Sequence, residues 1–556
     1  MGKKLNALAC TLVRTFLLGL LTAVALMLLP LQLQAEAVKQ IIRIGNGTEP
    51  RELDPILSTG VPESHIEDNI FEGLCSRDPL TEKTIPGAAE SWEISEDGLT
   101  YTFKLRKNLK WSDGVKLTAH DFVYSWRLAL DPKTASEYAY QLYYIKNGEA
   151  FNKKKITDNT KIGVVAQDDR TLVVTLERPT PYFLDIVAFH TLYPVPKHVI
   201  AKHKEKWTKE GNIVGNGAFK LVEWRLNQHI KLVPNEHYWD KDKVKIQEAY
   251  FLPIEKAETE EKSFAAGQLD MTATLPTVKI ATYMRDKQKN PKTSPFRRSA
   301  MFGTYYYQFN TKAKPLDNKL VRQALSLTVD RTLIAEKVAR GGQIPAWSFV
   351  PPIEGKYQPK KYLNTSVSKA DIAKAKALLK KAGFPDGKGM PKIELLYNTS
   401  EGHKKIALAI QQMWKKHLGV QIKLLNQEWK VYLNTTRSGK FQISRRGWIG
   451  DYLDPNTFMD LHVEGGGNNE IGFAHPEHDK YIKLAAAESN NKKRMDYFHK
   501  AEAILLDEAV VMPIYYYVSN RLVSPKVKLV DNKGKLHPWR GNLFDRLPLK
   551  HYVMTK

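Results

Sequence analysis

Apolar positions along this chain recur at helical spacing in some stretches and at alternate positions in others, and the two patterns follow one another repeatedly. The clearest run begins at Ser368. Ser368-Lys-Ala-Asp371 has the form of a capping box, Ile372, Ala375, Leu379 and Ala382 then recur at helical spacing, and Gly383 with Pro385 stops the helix. Residues 393–397 read as a strand, Ile406, Ile410 and Met413 mark a second helix ended by Gly419, and Val420, Ile422 and Leu424 alternate as a half-buried strand. This predicts a β-α-β unit, right-handed, within a largely parallel sheet. A second pattern lies earlier. Tyr101, Phe103 and Leu105 alternate with polar residues, Trp111-Ser-Asp-Gly114 forms a turn, and Thr118-Ala-His-Asp121 opens a helix whose apolar face is Phe122, Trp126 and Leu130. There is no 20–50-residue repeat, and the whole chain reads as α/β.

Composition separates the first 37 residues from the rest. Lys3, Lys4 and Arg14 precede an apolar run over residues 16–29, and Pro30 leads to Ala35-Glu36-Ala37, the small-x-small pattern of a signal-peptidase site. The run is short of the roughly 20 residues a membrane span needs. Cys10 precedes it, so it is badly placed as a lipid acceptor, and the mature chain is expected to begin near Val38 outside the cytoplasm. Only Cys75 then remains, which excludes an intrachain disulfide, while a chain this long buries enough core without one. The net charge of +24 falls to +22 without the leader. Nucleic acid or an anionic membrane is one reading; lysines dispersed over helix-like and loop segments instead favour a solvated surface.

Candidate chemistry concentrates at Arg445-Arg-Gly-Trp-Ile-Gly-Asp-Tyr-Leu-Asp-Pro455. An acid beside an aromatic receives an ammonium group, and a nearby arginine receives a carboxylate. A ligand carrying both charges with a backbone between them is a peptide. From these residues alone the competing reading is a turn, with Asp451 capping amides and Pro455 ending a strand. Catalytic signatures are missing: there is no His-Glu-x-x-His, no Gly-x-Ser-x-Gly and no Walker-type loop. We therefore expect no enzymatic activity.

Glu90-Ser-Trp-Glu-Ile-Ser-Glu-Asp-Gly-Leu-Thr-Tyr-Thr-Phe-Lys-Leu-Arg106, with Trp111-Ser-Asp-Gly114 and Thr118-Ala-His-Asp-Phe-Val-Tyr-Ser-Trp126, resembles the signature of the family 5 extracellular solute-binding proteins, in particular their oligopeptide-binding members. Leu53-Asp-Pro55, Gly60-Val-Pro-Glu63, Phe71-Glu-Gly73, Asp131-Pro-Lys-Thr-Ala-Ser136, Tyr305-Tyr-Tyr307, Asn426-Gln-Glu-Trp429 and Pro513-Ile-Tyr-Tyr-Tyr517 extend the resemblance to the C-terminal region. It implies a two-lobed periplasmic binding protein of type 2 with an additional α/β domain and a hinge between the lobes. The discontinuous lobe I would comprise residues 38–71, 197–302 and 519–556, the additional domain 72–196 and lobe II 303–518. It also implies capture of short peptides, about two to five residues, paired along their backbone much like an added strand. Delivery would be to an inner-membrane ABC permease with cytoplasmic ATPases, by a monomer that uses no cofactor, metal or nucleic acid.

Carried over residue by residue, the resemblance gives Asp451 to the peptide α-amino group and Thr59, Gly60, Val61, Gly447, Trp448 and Ile449 to the peptide backbone. Tyr138, Trp429 and Trp448 line the cleft, Arg445 and His403 meet the C-terminal carboxylate, and Tyr305, Tyr306 and Tyr307 form an aromatic strand beside it. Several positions depart from the pattern. Thr59 replaces a Glu, Arg340 stands one position off an expected Lys, Thr436 precedes Arg437 where an Arg is expected, and Gly303 and Ile449 replace a pair that relatives can bridge by a disulfide. Read alone, Tyr305–Tyr307 equally suit a half-buried strand, Trp429 and Trp448 a core with bonded indoles, His403 an exposed helix start, and Arg445 a solvated pair with Arg446. Two further readings stand beside the peptide receptor: a murein tripeptide receptor, and a basic periplasmic chaperone or adhesin.

Overall fold

Two long strands, Phe296–Phe309 and Val511–Leu522, run antiparallel from one lobe of the molecule into the other and organise everything around them. The computed structural model describes residues 38–556, so the leader and its cleavage position lie outside the described residues. Residues Gln40–Thr555 form one unit.

The first lobe rests on a four-stranded sheet in the order Ile41–Gly45, Glu248–Leu252, His229–Pro234, Phe219–Arg225. Only its first pair is parallel. Between its first two strands in chain order, the polypeptide forms the Val61–Ile70 helix and a separate four-stranded sheet that is antiparallel throughout. In that sheet Thr100–Leu105 keeps the expected alternation, with Tyr101, Phe103 and Leu105 buried. The helix against it spans Ala119–Leu130. Asp121 accepts from the Thr118 backbone N–H at 2.8 Å, as the capping box requires, and Phe122, Trp126 and Leu130 are fully buried.

The second lobe holds a six-stranded sheet ordered Ile344–Pro345, Val511–Leu522, Phe296–Phe309, Ile443–Ile449, Ile393–Asn398, Ile422–Gln427. The Ser368 capping box and the Lys369–Lys381 helix form as the spacing predicts, and the Glu401–Leu418 helix ends at Gly419, whose φ of 70° is the left-handed C-cap conformation. Ile393–Asn398 and Ile422–Gln427 are parallel, which completes the expected β-α-β unit. The expectation of a largely parallel sheet is corrected, however: the pairs made by Phe296–Phe309 and Val511–Leu522 are antiparallel, so the sheet is mixed. Local periodicity sees only the crossover unit. The antiparallel half comes from strands more than 130 residues apart, which carry no shared local signal.

These two strands pair from Phe296↔Leu522 to Gln308↔Val511 and change register between Ala300 and Thr304. At one end they pack with Leu275 and Ile280, and the Thr272 N–H donates to the Leu522 carbonyl at 2.9 Å. At the other end residues 302–309 are all buried, because a hydrophobic cluster covers each face of the sheet.

Candidate functional site

Between the lobes lies a cavity of about 330 Å³, within the range of ligand pockets. One wall is Ile443–Ile449. Along one edge this strand pairs with Gly303 to Phe309, whereas along the other it meets Ile393–Asn398 only at Ile443 and Ser444. The Arg445 carbonyl accepts from the Tyr432 hydroxyl, but residues 447–449 present a strand edge to the cavity with no strand beside it, and main-chain groups there can pair with a ligand backbone. Gly447 permits this close-packed wall, since a Cβ there would stand 2.2 Å from the Tyr517 hydroxyl. Opposite lies the extended turn Thr59-Gly60 at the start of Val61–Ile70; a Cβ on Gly60 would come within 3.0 Å of the Trp429 ring.

Two opposite charges sit in the lining. Asp451 is 5% exposed. One carboxylate oxygen accepts from Gln141 Nε2 at 2.8 Å and from Thr457 Oγ1 at 3.4 Å, and the other faces the Tyr138 hydroxyl at 3.5 Å. Burial pushes its pKa up to about 8, moderated by Arg546, Thr457, Tyr138 and Arg77. Arg445 is also buried. It donates to the Tyr517 hydroxyl at 2.5 Å and to Asn398 Oδ1 at 3.3 Å, lies 4.5 Å over the Tyr305 ring, and leaves its Nε without a partner. The other lining arginines are neutralised: Arg446 by Glu470 at 3.5 Å, Arg521 by Asp545 at 2.7 Å, and Arg546 by Asp68 at 2.9 Å. Among the described residues Arg445 alone of these four has no carboxylate partner. Arg445 is thus a buried cation without an ion pair, and Asp451 a buried acid without one.

Of the residues named from the sequence, Thr59, Gly60, Val61, Tyr138, His403, Trp429, Arg445, Gly447, Trp448, Ile449 and Asp451 all line this cavity. Trp448 lies tilted against Tyr138, ring centroids 5.9 Å apart, and donates to Thr457 at 3.2 Å, so it is both wall and bonded core indole. Trp429 donates across the lobes to Glu63 at 3.2 Å. His403 is half-buried in the first turn of its helix, meets the Tyr305 hydroxyl at 3.2 Å, and is kept neutral by burial and by Arg445. Tyr305, Tyr306 and Tyr307 are placed differently. They lie in the central strand with both faces covered, Tyr305 and Tyr307 in one cluster and Tyr306 in the other, and none of them lines the cavity. Gly303 and Ile449 are direct cross-strand partners, and the Ile449 side chain fills the space above Gly303.

Sequence reasoning did not name Gln141, Thr457, Asn398 or Arg546, and it gave Tyr517 only as the end of an aromatic motif, without a role. Thr457 lies six residues beyond Asp451, whereas Gln141, Asn398, Tyr517 and Arg546 reach the site through tertiary packing from distant segments.

Residues 83–470 match the family described as bacterial extracellular solute-binding proteins, family 5 middle region. The periplasmic oligopeptide-binding protein OppA of Salmonella typhimurium is 40% identical over 88% of this chain and 90% of its own. The structure of the murein tripeptide binding protein MppA of Escherichia coli superposes with a TM-score of 0.87 at 37% identity, covering 94% of this chain and 99% of that one. The unliganded open form of MppA, at 37% identity and covering 93% and 98%, reaches only 0.61. The lobes here thus stand in an arrangement unlike that open form. With a two-lobed α/β architecture, a match over most of its length and a relative of this similarity, the chain belongs to the bacterial extracellular solute-binding proteins, family 5.

Proposed function

We propose that this protein is an extracytoplasmic receptor that captures short oligopeptides between its lobes and hands them to an ABC-type peptide permease. The observation that carries the reading is a buried acid, Asp451, and a buried cation, Arg445, neither of them in an ion pair, flanking a strand edge left unpaired over residues 447–449. A peptide satisfies all three: its ammonium meets Asp451, its backbone pairs with residues 447–449, and its carboxylate meets Arg445, with His403 nearby. The lobes closing on it are residues 38–71, 197–302 and 519–556 on one side and 303–518 on the other, with 72–196 as the inserted domain. The leader over residues 1–37 directs export to the periplasm, where the protein works as a monomer without catalysing a reaction.

A murein tripeptide is the second reading, favoured by the likeness to MppA. Its extra carboxylates would need further free cations. Three of the four arginines in the wall are already ion-paired, so we favour general oligopeptides. Isothermal titration with tri-, tetra- and penta-L-alanine, their N-acetylated forms and a murein tripeptide tests this. Free peptides should bind, and acetylation or Asp451→Asn should each cost about 2–5 kcal/mol. Arg445→Met should weaken peptides that place their carboxylate beside it. Binding of the murein tripeptide alone would overturn the oligopeptide reading; equal binding of acetylated peptides would overturn the role of Asp451.

A further inference from the structure

Gln141 comes from the short 3-10 turn Ala139–Leu142 of the inserted domain, far in sequence from the strand it serves. It is fully buried, its Nε2 donates to Asp451 at 2.8 Å, and its Oε1 has no hydrogen-bond partner. An amide buried with one arm unsatisfied bears the desolvation cost of that oxygen. The single bond it makes is to the carboxylate at the centre of the site. That bond is also the shortest side-chain contact to Asp451, since Thr457 and Tyr138 stand at 3.4 and 3.5 Å.

We infer that Gln141 is a positioning residue for ligand capture, which orients the Asp451 carboxylate and stabilises its ionised form so that it can receive the ligand's ammonium group. The inference rests on the peptide-receptor reading above. An N–H donor directed at a carboxylate favours its charged form, whereas a protonated carboxyl gains little from it. The other groups facing Asp451 are accounted for. Arg546 and Arg77 add positive potential, and Arg77 also donates to the Asp451 carbonyl at 3.3 Å. Buried Asp460 opposes ionisation, and Asp454 is neutralised by Arg494 at 2.7 Å. The arginines act through space and are committed to other carboxylates, so Gln141 supplies the closest directed contact.

The test is tri-L-alanine binding by calorimetry from about pH 5.5 to 9 for the wild type, Gln141→Met and Gln141→Leu, with melting curves to establish folding. When an acid must be ionised and an amine protonated, affinity is bell-shaped in pH and its optimum lies midway between their pKa values. Loss of the donor should raise the Asp451 pKa by about one unit, move the optimum up by about half a unit, and weaken binding about tenfold near pH 6. Gln141→Leu also removes the donor, with an apolar side chain of similar size, so it should shift the optimum in the same direction. It decides the matter if the Met variant does not fold. A packing role alone would lower affinity by one factor at every pH. An optimum unmoved in both variants overturns the inference, even where affinity falls. Failure of the wild type to bind tri-L-alanine at any pH would instead overturn the peptide-receptor reading.

Discussion

At the scale of single residues, the site is expensive to keep empty. Burying an acid without a partner raises its pKa instead of leaving a charge in a poor solvent, and Asp451 follows that rule, pushed up to about 8. The linkage has a definite sign. With a folded pKa near 8 and an unfolded value of about 3.9, Asp451 takes up a proton on folding throughout that window, so it makes the empty protein less stable as pH rises through it. A bound ammonium removes the penalty by pairing with the ionised form. Between about pH 6 and pH 8 the rise in melting temperature produced by saturating peptide should therefore grow, and Asp451→Asn should flatten that growth. Calorimetric melts with and without tri-L-alanine measure it; a ligand-induced shift that is constant over this range contradicts the assignment.

Individual elements show what was legible and what was not. The Ser368 and Thr118 boxes, the helices they start and the Thr100–Leu105 alternation were all readable, because each is fixed by contacts within a few residues. The mixed order of the large sheet was not, since Phe296–Phe309 and Val511–Leu522 meet only in the folded chain. Tyr305–Tyr307 illustrate the same limit: the sequence marks an aromatic strand, but only the two covering clusters explain why all three side chains are buried. Asp451 needed the family resemblance to be chosen over a turn, and Gln141 had no local signal at all. The Ile443–Ile449 strand also carries a test of its own. In Gly447→Ala the new methyl would overlap the Tyr517 hydroxyl at 2.2 Å, displacing the partner of Arg445. Overpacking of this kind costs about 1–3 kcal/mol. Removing the hydroxyl in Gly447→Ala with Tyr517→Phe should recover part of that loss, so the two substitutions should be non-additive in denaturant unfolding. Simple additivity would show that the hydroxyl does not limit the wall.

For the whole molecule, the question is what holds the lobes together before a ligand does. Contacts already cross between them: Trp429 to Glu63, Tyr138 to Trp448, Gln141 to Asp451, and an ion pair between Arg437 and buried Glu137. The Arg437 pair lies outside the cavity lining, so it bears on the lobe equilibrium without touching a ligand. A ligand's apparent affinity falls in proportion to the fraction of molecules in the competent arrangement. Arg437→Ala leaves the buried Glu137 carboxylate without its partner in the closed arrangement, whereas an open one returns it to water. The variant should therefore bind tri-L-alanine several-fold more weakly, keep the wild-type pH optimum, and show a larger radius of gyration by small-angle scattering when empty but not when saturated. That combination separates a change in lobe equilibrium from a change in the site itself, because damage to Asp451 or its positioning moves the pH optimum and leaves the empty dimensions alone. Weaker binding with unaltered dimensions of the empty protein would mean that Arg437 acts on the ligand and not on closure.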